Sequence, residues 1–118
     1  SAISHGGIGL VDKIIKEIDY PEMINNELHL LKRHVPYFES DHILNIAYNI
    51  ICGGTCLEDI ELLRNNIVYM DALGAKRIPD PTTAGDFLRR FEEKDIIKLM
   101  DIHNDANTKI WQETLTDK

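Results

Sequence analysis

The fold is decided by the stretch Ser40–Asn65, which reads SDHILNIAYNIICGGTCLEDIELLRN. Its first half is apolar around most of a helical circumference, and this pattern predicts a central, buried helix. Gly53-Gly54 then supplies the left-handed exit that the C-terminus of a helix often needs. Thr55 opens the next helix through the capping box Thr-x-x-Glu, which Glu58 completes. The stretch therefore predicts two helices joined by a tight glycine turn.

Polar residues at two places refine this prediction. Ser40 is a good N-cap residue for the first of these helices. Asn45 and Asn49 stand four apart inside the apolar helix and so share one side of it. Because buried amides need partners, we expect both to form hydrogen bonds within the core or at its edge.

The same apolar spacing continues on both sides of this stretch and predicts further helices. We place them from after Gly7 to Asp19, over Glu22–Arg33, over Ile67–Leu73, from Thr83 onward, and over Lys94–Leu115. The expectation is an all-α fold: one domain over residues 1–118, a compact bundle of about five to seven helices. The helix starts near Thr55 and Thr83 also suggest a helix-turn-helix-like element.

Composition excludes several classes of protein. The chain has 118 residues, 43% of them hydrophobic, which suits one ordinary globular domain. No apolar run approaches the roughly 20 residues of a membrane span, and no signal-peptide pattern opens the chain. We therefore expect a cytoplasmic protein without membrane contact. The net charge of −7 counts against a simple DNA-binding domain, since phosphate contact favours basic surfaces.

The two cysteines do not predict a metal site. Cys52 and Cys56 have the spacing C-x3-C rather than the C-x2-C of zinc ribbons, and the five histidines are scattered. We interpret them as small apolar side chains near a turn, with no metal site and no cofactor in this chain.

One group of residues has the chemistry to hold a DNA backbone, because cations and hydroxyl groups contact phosphates. It consists of Lys76, Arg77, Thr82, Thr83, Arg89 and Arg90. Acidic residues such as Asp80 and Asp86 lie among them, so ordinary helix capping with solvated arginines is the competing interpretation. A second basic group consists of His29, Lys32, Arg33 and His34. The dipole at the C-terminus of the second helix is enough to explain Lys32 and Arg33.

Two long strings, SDHILNIAYNIICGGTCLEDIELLRN and DALGAKRIPDPTTAGDFLRRF (Asp71–Phe91), carry a resemblance to a known family. The chain resembles the N-terminal region of bacterial DDE group 1 insertion-sequence transposases, relatives of the IS4-like enzymes. The flanking SHGGIGLVDKI (Ser4–Ile14) and the last helix, which contains Lys109-Ile110-Trp111, fit as well. The likeness thus covers nearly the whole chain.

This resemblance implies a role in DNA transposition: binding the terminal repeats of the element, bringing them into synapsis, or both. It also implies that the catalytic carboxylates, and the Mg²⁺ they hold, belong to an RNase H-like domain outside these residues. We therefore expect no catalytic residue here and no nuclease activity from this chain alone. The expected partners are terminal-repeat DNA, the enzyme's own catalytic domain and a second copy in a homodimer.

The alternative is a protein-interaction module that dimerises or docks without touching DNA, which the acidic charge favours. Trp111 could stack on a base, but its helical spacing favours packing in the core.

Overall fold

A computed structural model describes the backbone of residues 2–116 and the side chains of residues 2–112. Over these residues the chain is all-helical, which confirms the predicted fold class. The helices are α1 (Ile8–Glu17), α2 (Tyr20–Glu27), α3 (Glu39–Ile51), α4 (Ile60–Arg64), α5 (Ile67–Leu73), α6 (Pro81–Leu88) and α7 (Glu93–Thr116). A 3-10 turn, Leu57–Asp59, leads into α4.

Helix α3 lies at the centre, in contact with α2, α4, α6 and the 3-10 turn. Its buried face is more polar than the apolar pattern predicted, because Glu39, Ser40 and His42 are buried while Ile50 is 65% exposed. The two asparagines confirm the predicted role. Asn45 Nδ2 donates to the Pro79 carbonyl (3.0 Å), and Asn49 Nδ2 donates to that of Cys56 (2.9 Å).

The apolar interior has two parts. The larger cluster gathers side chains from α1, α3, α4, α5 and α6, namely Ile8, Tyr48, Ile60, Leu63, Tyr69, Ile78 and Ala84. The smaller one joins α2 to α6 and α7 through Ile24, Leu28, Phe87 and Ile102. Helix α7 therefore packs against α2.

Helix α2 ends at Glu27, so its predicted extension to Arg33 was wrong. Leu28 turns into extended backbone (φ −105°, ψ 116°) and is fully buried. The N–H groups of Leu30 and Leu31 donate to Glu39 Oε2 at 3.0 and 2.9 Å. A buried carboxylate on α3 thus replaces the hydrogen bonds that a longer helix would have formed. The second basic group consequently lies in irregular backbone, not at a helix C-terminus.

The turn between α3 and the 3-10 turn forms largely as predicted. Gly53 has φ +97°, which confirms the left-handed exit. The capping box closes on a different residue, however. Asp59, not Glu58, accepts from the N–H groups of Thr55 (2.8 Å) and Cys56 (3.3 Å), because the helical turn starts one residue later than predicted.

Ser40 is not the N-cap of α3, contrary to prediction. The N-cap is Phe38, whose N–H donates to the Asp41 carboxylate at 2.8 Å. Ser40 instead lies buried in the first turn, and its own N–H donates to Asn25 Oδ1 of α2 at 2.9 Å. The helix begins earlier because this long-range contact fixes its first turn against α2.

Trp111 was predicted to pack in the core, and this was wrong. It is 66% exposed on α7. The face of α7 that turns toward the other helices is formed by Ile102 and Ala106 instead. Trp111 lies about 180° around the helix from Ile102, since each residue advances by about 100°.

Candidate nucleic-acid interface

The N-terminus of α6 is capped by a side chain of the preceding loop. Asp80 is the N-cap and its carboxylate accepts from the Thr83 N–H at 2.8 Å, while Pro81 occupies the first turn. The helix therefore begins before Thr83, where the sequence had placed its start. The hydrogen bond from Thr83 holds the pKa of Asp80 below its usual value. A phosphate approaching this helix end would meet an ionised carboxylate.

Thr82 and Arg89 line one shallow pocket of about 260 Å³, together with Glu58 of the 3-10 turn. Arg89 Nη1 forms an ion pair with Asp86 at 2.7 Å, and its side chain remains 76% exposed. An exposed pair of this kind is weak and screened by salt, so phosphate can compete for the guanidinium. The structure thus brings two of the predicted residues together, with two carboxylates beside them.

Lys76 and Arg77 are exposed in the loop between α5 and α6. Burial raises the pKa of Tyr37, and the positive charges of Arg77 and Arg64 oppose that rise. Both arginines thus act electrostatically on Tyr37, where Asp80 and Asp41 act with the opposite sign. Arg64 was not among the predicted residues, because its place in the last turn of α4 is explained by the helix dipole alone.

Arg90 has a structural contact. Its Nη1 donates to the Leu30 carbonyl at 3.3 Å, which links the end of α6 to the irregular segment after α2. The side chain remains exposed, so one guanidinium edge is still open to solvent. Of the predicted cations, Arg89 is paired with Asp86 and Arg90 with the Leu30 carbonyl, so Lys76 and Arg77 are the less restricted in binding a phosphate.

The connection between α5 and α6 is longer than a helix-turn-helix requires. It covers residues 74–80, whereas that motif uses a turn of about three or four residues. Gly74 ends α5 in the left-handed conformation (φ 64°), as its place after Leu73 suggests. The predicted set therefore surrounds a loop and a capped helix rather than a recognition helix.

A second surface is apolar and was missed from the sequence. On α7 the exposed apolar side chains are Ile96, Ile97, Met100, Ile110 and Trp111. Beside them runs a groove of about 220 Å³ between α1, α3 and α7, lined almost wholly by apolar groups. The apolar stripe of α7 could be recognised from spacing, but which part of it stays uncovered depends on how α7 crosses α2.

Among the residues whose side chains are described, no group of three or more histidine, cysteine or acidic residues is arranged to hold a metal ion. Within that same part of the chain, no helix combines the length and apolar character that crossing a bilayer requires.

A scan against protein-family models and searches of curated proteins and of solved structures found no match to this chain.

Proposed function

We propose that this chain is the N-terminal helical domain of a DDE group 1, IS4-like insertion-sequence transposase, and that it contacts the terminal repeats of the element in the bacterial cytoplasm. The resemblance of Ser40–Asn65 and Asp71–Phe91 supports the family. The observation that carries DNA contact is the exposure of all four predicted cations along the α5–α6 loop and α6, namely Lys76, Arg77, Arg89 and Arg90.

The chemistry of strand transfer is assigned to another domain in this proposal. In such enzymes carboxylates hold Mg²⁺ for phosphoryl transfer, and no residue of this chain is proposed as a ligand. The domain instead positions DNA. With a net charge of −7, its DNA contact must be local and sensitive to salt.

The test is a titration of terminal-repeat duplex with the wild-type chain and with Arg77→Ala and Arg89→Ala, at several salt concentrations. Each lost phosphate contact should reduce the slope of log affinity against log salt by about 0.9. Asp80→Asn should act in the opposite direction, because asparagine keeps the cap of α6 and removes one negative charge. Lys98→Ala, on the polar side of α7, is the control. Unchanged affinity and slope in both arginine variants would exclude this surface.

A second candidate function is a protein-interaction module without DNA contact, supported by the exposed apolar side chains of α7. Isolated exposed apolar residues are normal, but a contiguous set beside an apolar groove is typical of an interaction site. Light scattering combined with a gel shift separates the two functions. Self-association without a shift supports interaction, and a shift by a monomer supports DNA contact.

A further inference from the structure

Three of the exposed apolar residues of α7 lie, together with two polar residues, at heptad spacing. Ile96, Met100, His103, Asn107 and Ile110 are spaced four, three, four and three residues apart, which is the spacing of the a and d positions of a coiled coil. Ile96 and Met100 are 51% and 60% exposed. This seam is separate from the buried line of α7 formed by Ile102 and Ala106. The helix therefore has one apolar line against its own fold and a second beside the groove.

The groove has room along the seam. Asn107 and Ile110 line its deeper part, and His103 lines both this part and an adjoining pocket of about 380 Å³ beside Leu99 and Met100. The two spaces share Tyr20 and Ile43 as well. From Leu99 to Ile110 the rise is about 17 Å, or three turns of helix. The groove can therefore receive apolar side chains along about three turns of α7.

We propose that the occupant is α7 of a second copy of this chain, packed antiparallel in a two-fold dimer. The two-fold axis crosses the seam at the height of residue 105 along the helix. It places Met100 of one copy opposite Ile110 of the other, and Leu99 opposite Trp111. The same axis places His103 of one copy opposite Asn107 of the other. These two side chains can form a hydrogen bond at the centre of the seam. Within one chain these two side chains already lie 3.3 Å apart, so their polar atoms meet at this point. The seam matches its own reversed copy, as a two-fold contact requires.

The charges on α7 allow this pairing despite the acidic chain. Asp101 and Asp105 project from the side of the helix opposite the seam, because they lie about 140° and 180° around the helix from Ile96. No acidic residue of residues 93–112 occupies a seam position between Ile96 and Ile110. Two copies can therefore meet here without placing carboxylates against each other.

The exposed apolar area is that of a weak, concentration-dependent contact. Taking about 200 Å² for a fully exposed large side chain, the exposed apolar residues of α7 offer about 500 Å² per copy. This is less than the roughly 800 Å² that a standard interface buries on each partner, even though the walls of the groove add to it. The dimer deepens the interaction function proposed above and rests on it.

Sedimentation velocity and light scattering over a concentration series test the proposal. The wild-type chain of 13.5 kDa should double in mass. Met100→Glu should raise the dissociation constant by about tenfold or more, since it places two charges inside the contact. Ile67→Glu is the control, because Ile67 is 76% exposed on α5, outside the groove. A dimer that Met100→Glu leaves unchanged overturns this arrangement. A chain that stays monomeric overturns the dimer, but not an interaction function that acts by docking on another domain.

Cross-linking tests the direction of the helices without a charged substitution. Two variants, Met100→Cys and Ile110→Cys, are made in a Cys52→Ser, Cys56→Ser background. Each variant is oxidised alone, and an equal mixture of the two is oxidised in a third sample. The antiparallel pairing forms a disulfide only in the mixture, since its Cα atoms must lie within about 7 Å. Disulfides in each separate sample would indicate parallel helices and overturn the proposal, as would no disulfide in the mixture.

Discussion

The Glu39 carboxylate holds the segment after α2 in place. It is 1% exposed, accepts from the Leu30 and Leu31 N–H groups, and lies 3.0 Å from His34 Nε2. Burial alone would raise its pKa, but the two backbone hydrogen bonds and His34 lower it overall. The carboxylate is therefore charged in the folded state and acts as an acceptor for a turn that has no helical hydrogen bonds.

Glu39→Ala should lower the free energy of unfolding by about 2–4 kcal/mol, because two part-buried N–H groups lose a charged acceptor. Urea denaturation followed by circular dichroism measures this. Glu39→Gln keeps one acceptor oxygen and should cost less. Equal stability of the alanine variant and the wild type would show that this carboxylate does not hold the segment.

His42 should make stability depend on pH. The ring is buried, stacked on Phe87 with centroids 4.5 Å apart, and burial lowers its pKa even though Asp41 and Glu39 oppose the shift. The pKa of His42 in the folded state lies below the unfolded value of about 6.5. At pH values between these two pKa values, the unfolded state therefore binds more protons than the folded state. Stability should therefore fall as the pH drops below about 6.5.

His42→Phe should weaken this pH dependence, since phenylalanine can stack but cannot take a proton. Urea midpoints between about pH 7.5 and pH 5 give the measurement, because this range spans the pKa of an unfolded histidine, about 6.5. His29→Gln is the control, because His29 is exposed. A slope equal to that of the wild type in His42→Phe would assign the effect to another group.

At the scale of elements, the two glycines Gly53 and Gly85 should respond to alanine in opposite ways. Gly53 has φ +97°, and a Cβ there would lie 3.0 Å from Ala2 Cβ. Gly53→Ala should therefore cost about 1–2 kcal/mol. Gly85 is inside α6, where an added Cβ would lie 3.7 Å from Leu57, an ordinary contact. Gly85→Ala should stabilise by about 0.5–1 kcal/mol.

Thermal unfolding of both variants measures these changes, and each serves as the control for the other. A loss of stability in Gly85→Ala would mean that α6 and the 3-10 turn pack more tightly than the distance indicates.

How far the sequence predicts each element depends on the range of the interactions that define it. The glycine turn after α3 follows from local backbone chemistry, so it could be predicted. The end of α2 depends on Glu39, a contact between residues far apart in sequence, and helix periodicity contains no information about it. The predicted caps failed for the same reason at Ser40, whose N–H is satisfied by α2 rather than by its own turn.

The candidate sites show the same limit. The basic residues could be named from composition, but it is the fold that brings both Arg64 and Arg77 within electrostatic reach of Tyr37. The exposure of Trp111 was predicted wrongly because spacing shows that a helix has an apolar side without showing how much of it the fold covers.

For the whole molecule, the two proposed activities should respond to salt in opposite directions. DNA contact releases counterions, so its affinity should fall steeply between about 50 and 200 mM salt. Pairing of two chains that each carry a charge of −7 should strengthen, because salt screens their repulsion. Gel shifts and sedimentation on the same samples measure both. Pairing that weakens as salt rises would argue against an uncharged seam.

The placement of Trp111 also gives the protein an intrinsic optical reporter. It is the chain's single tryptophan and lies 66% exposed on α7. Indole fluorescence responds to the polarity around the ring, and dissolved iodide quenches it only where the ring can be reached. Emission should therefore shift to the blue, and quenching decrease, when anything covers this end of α7, without any dye attached.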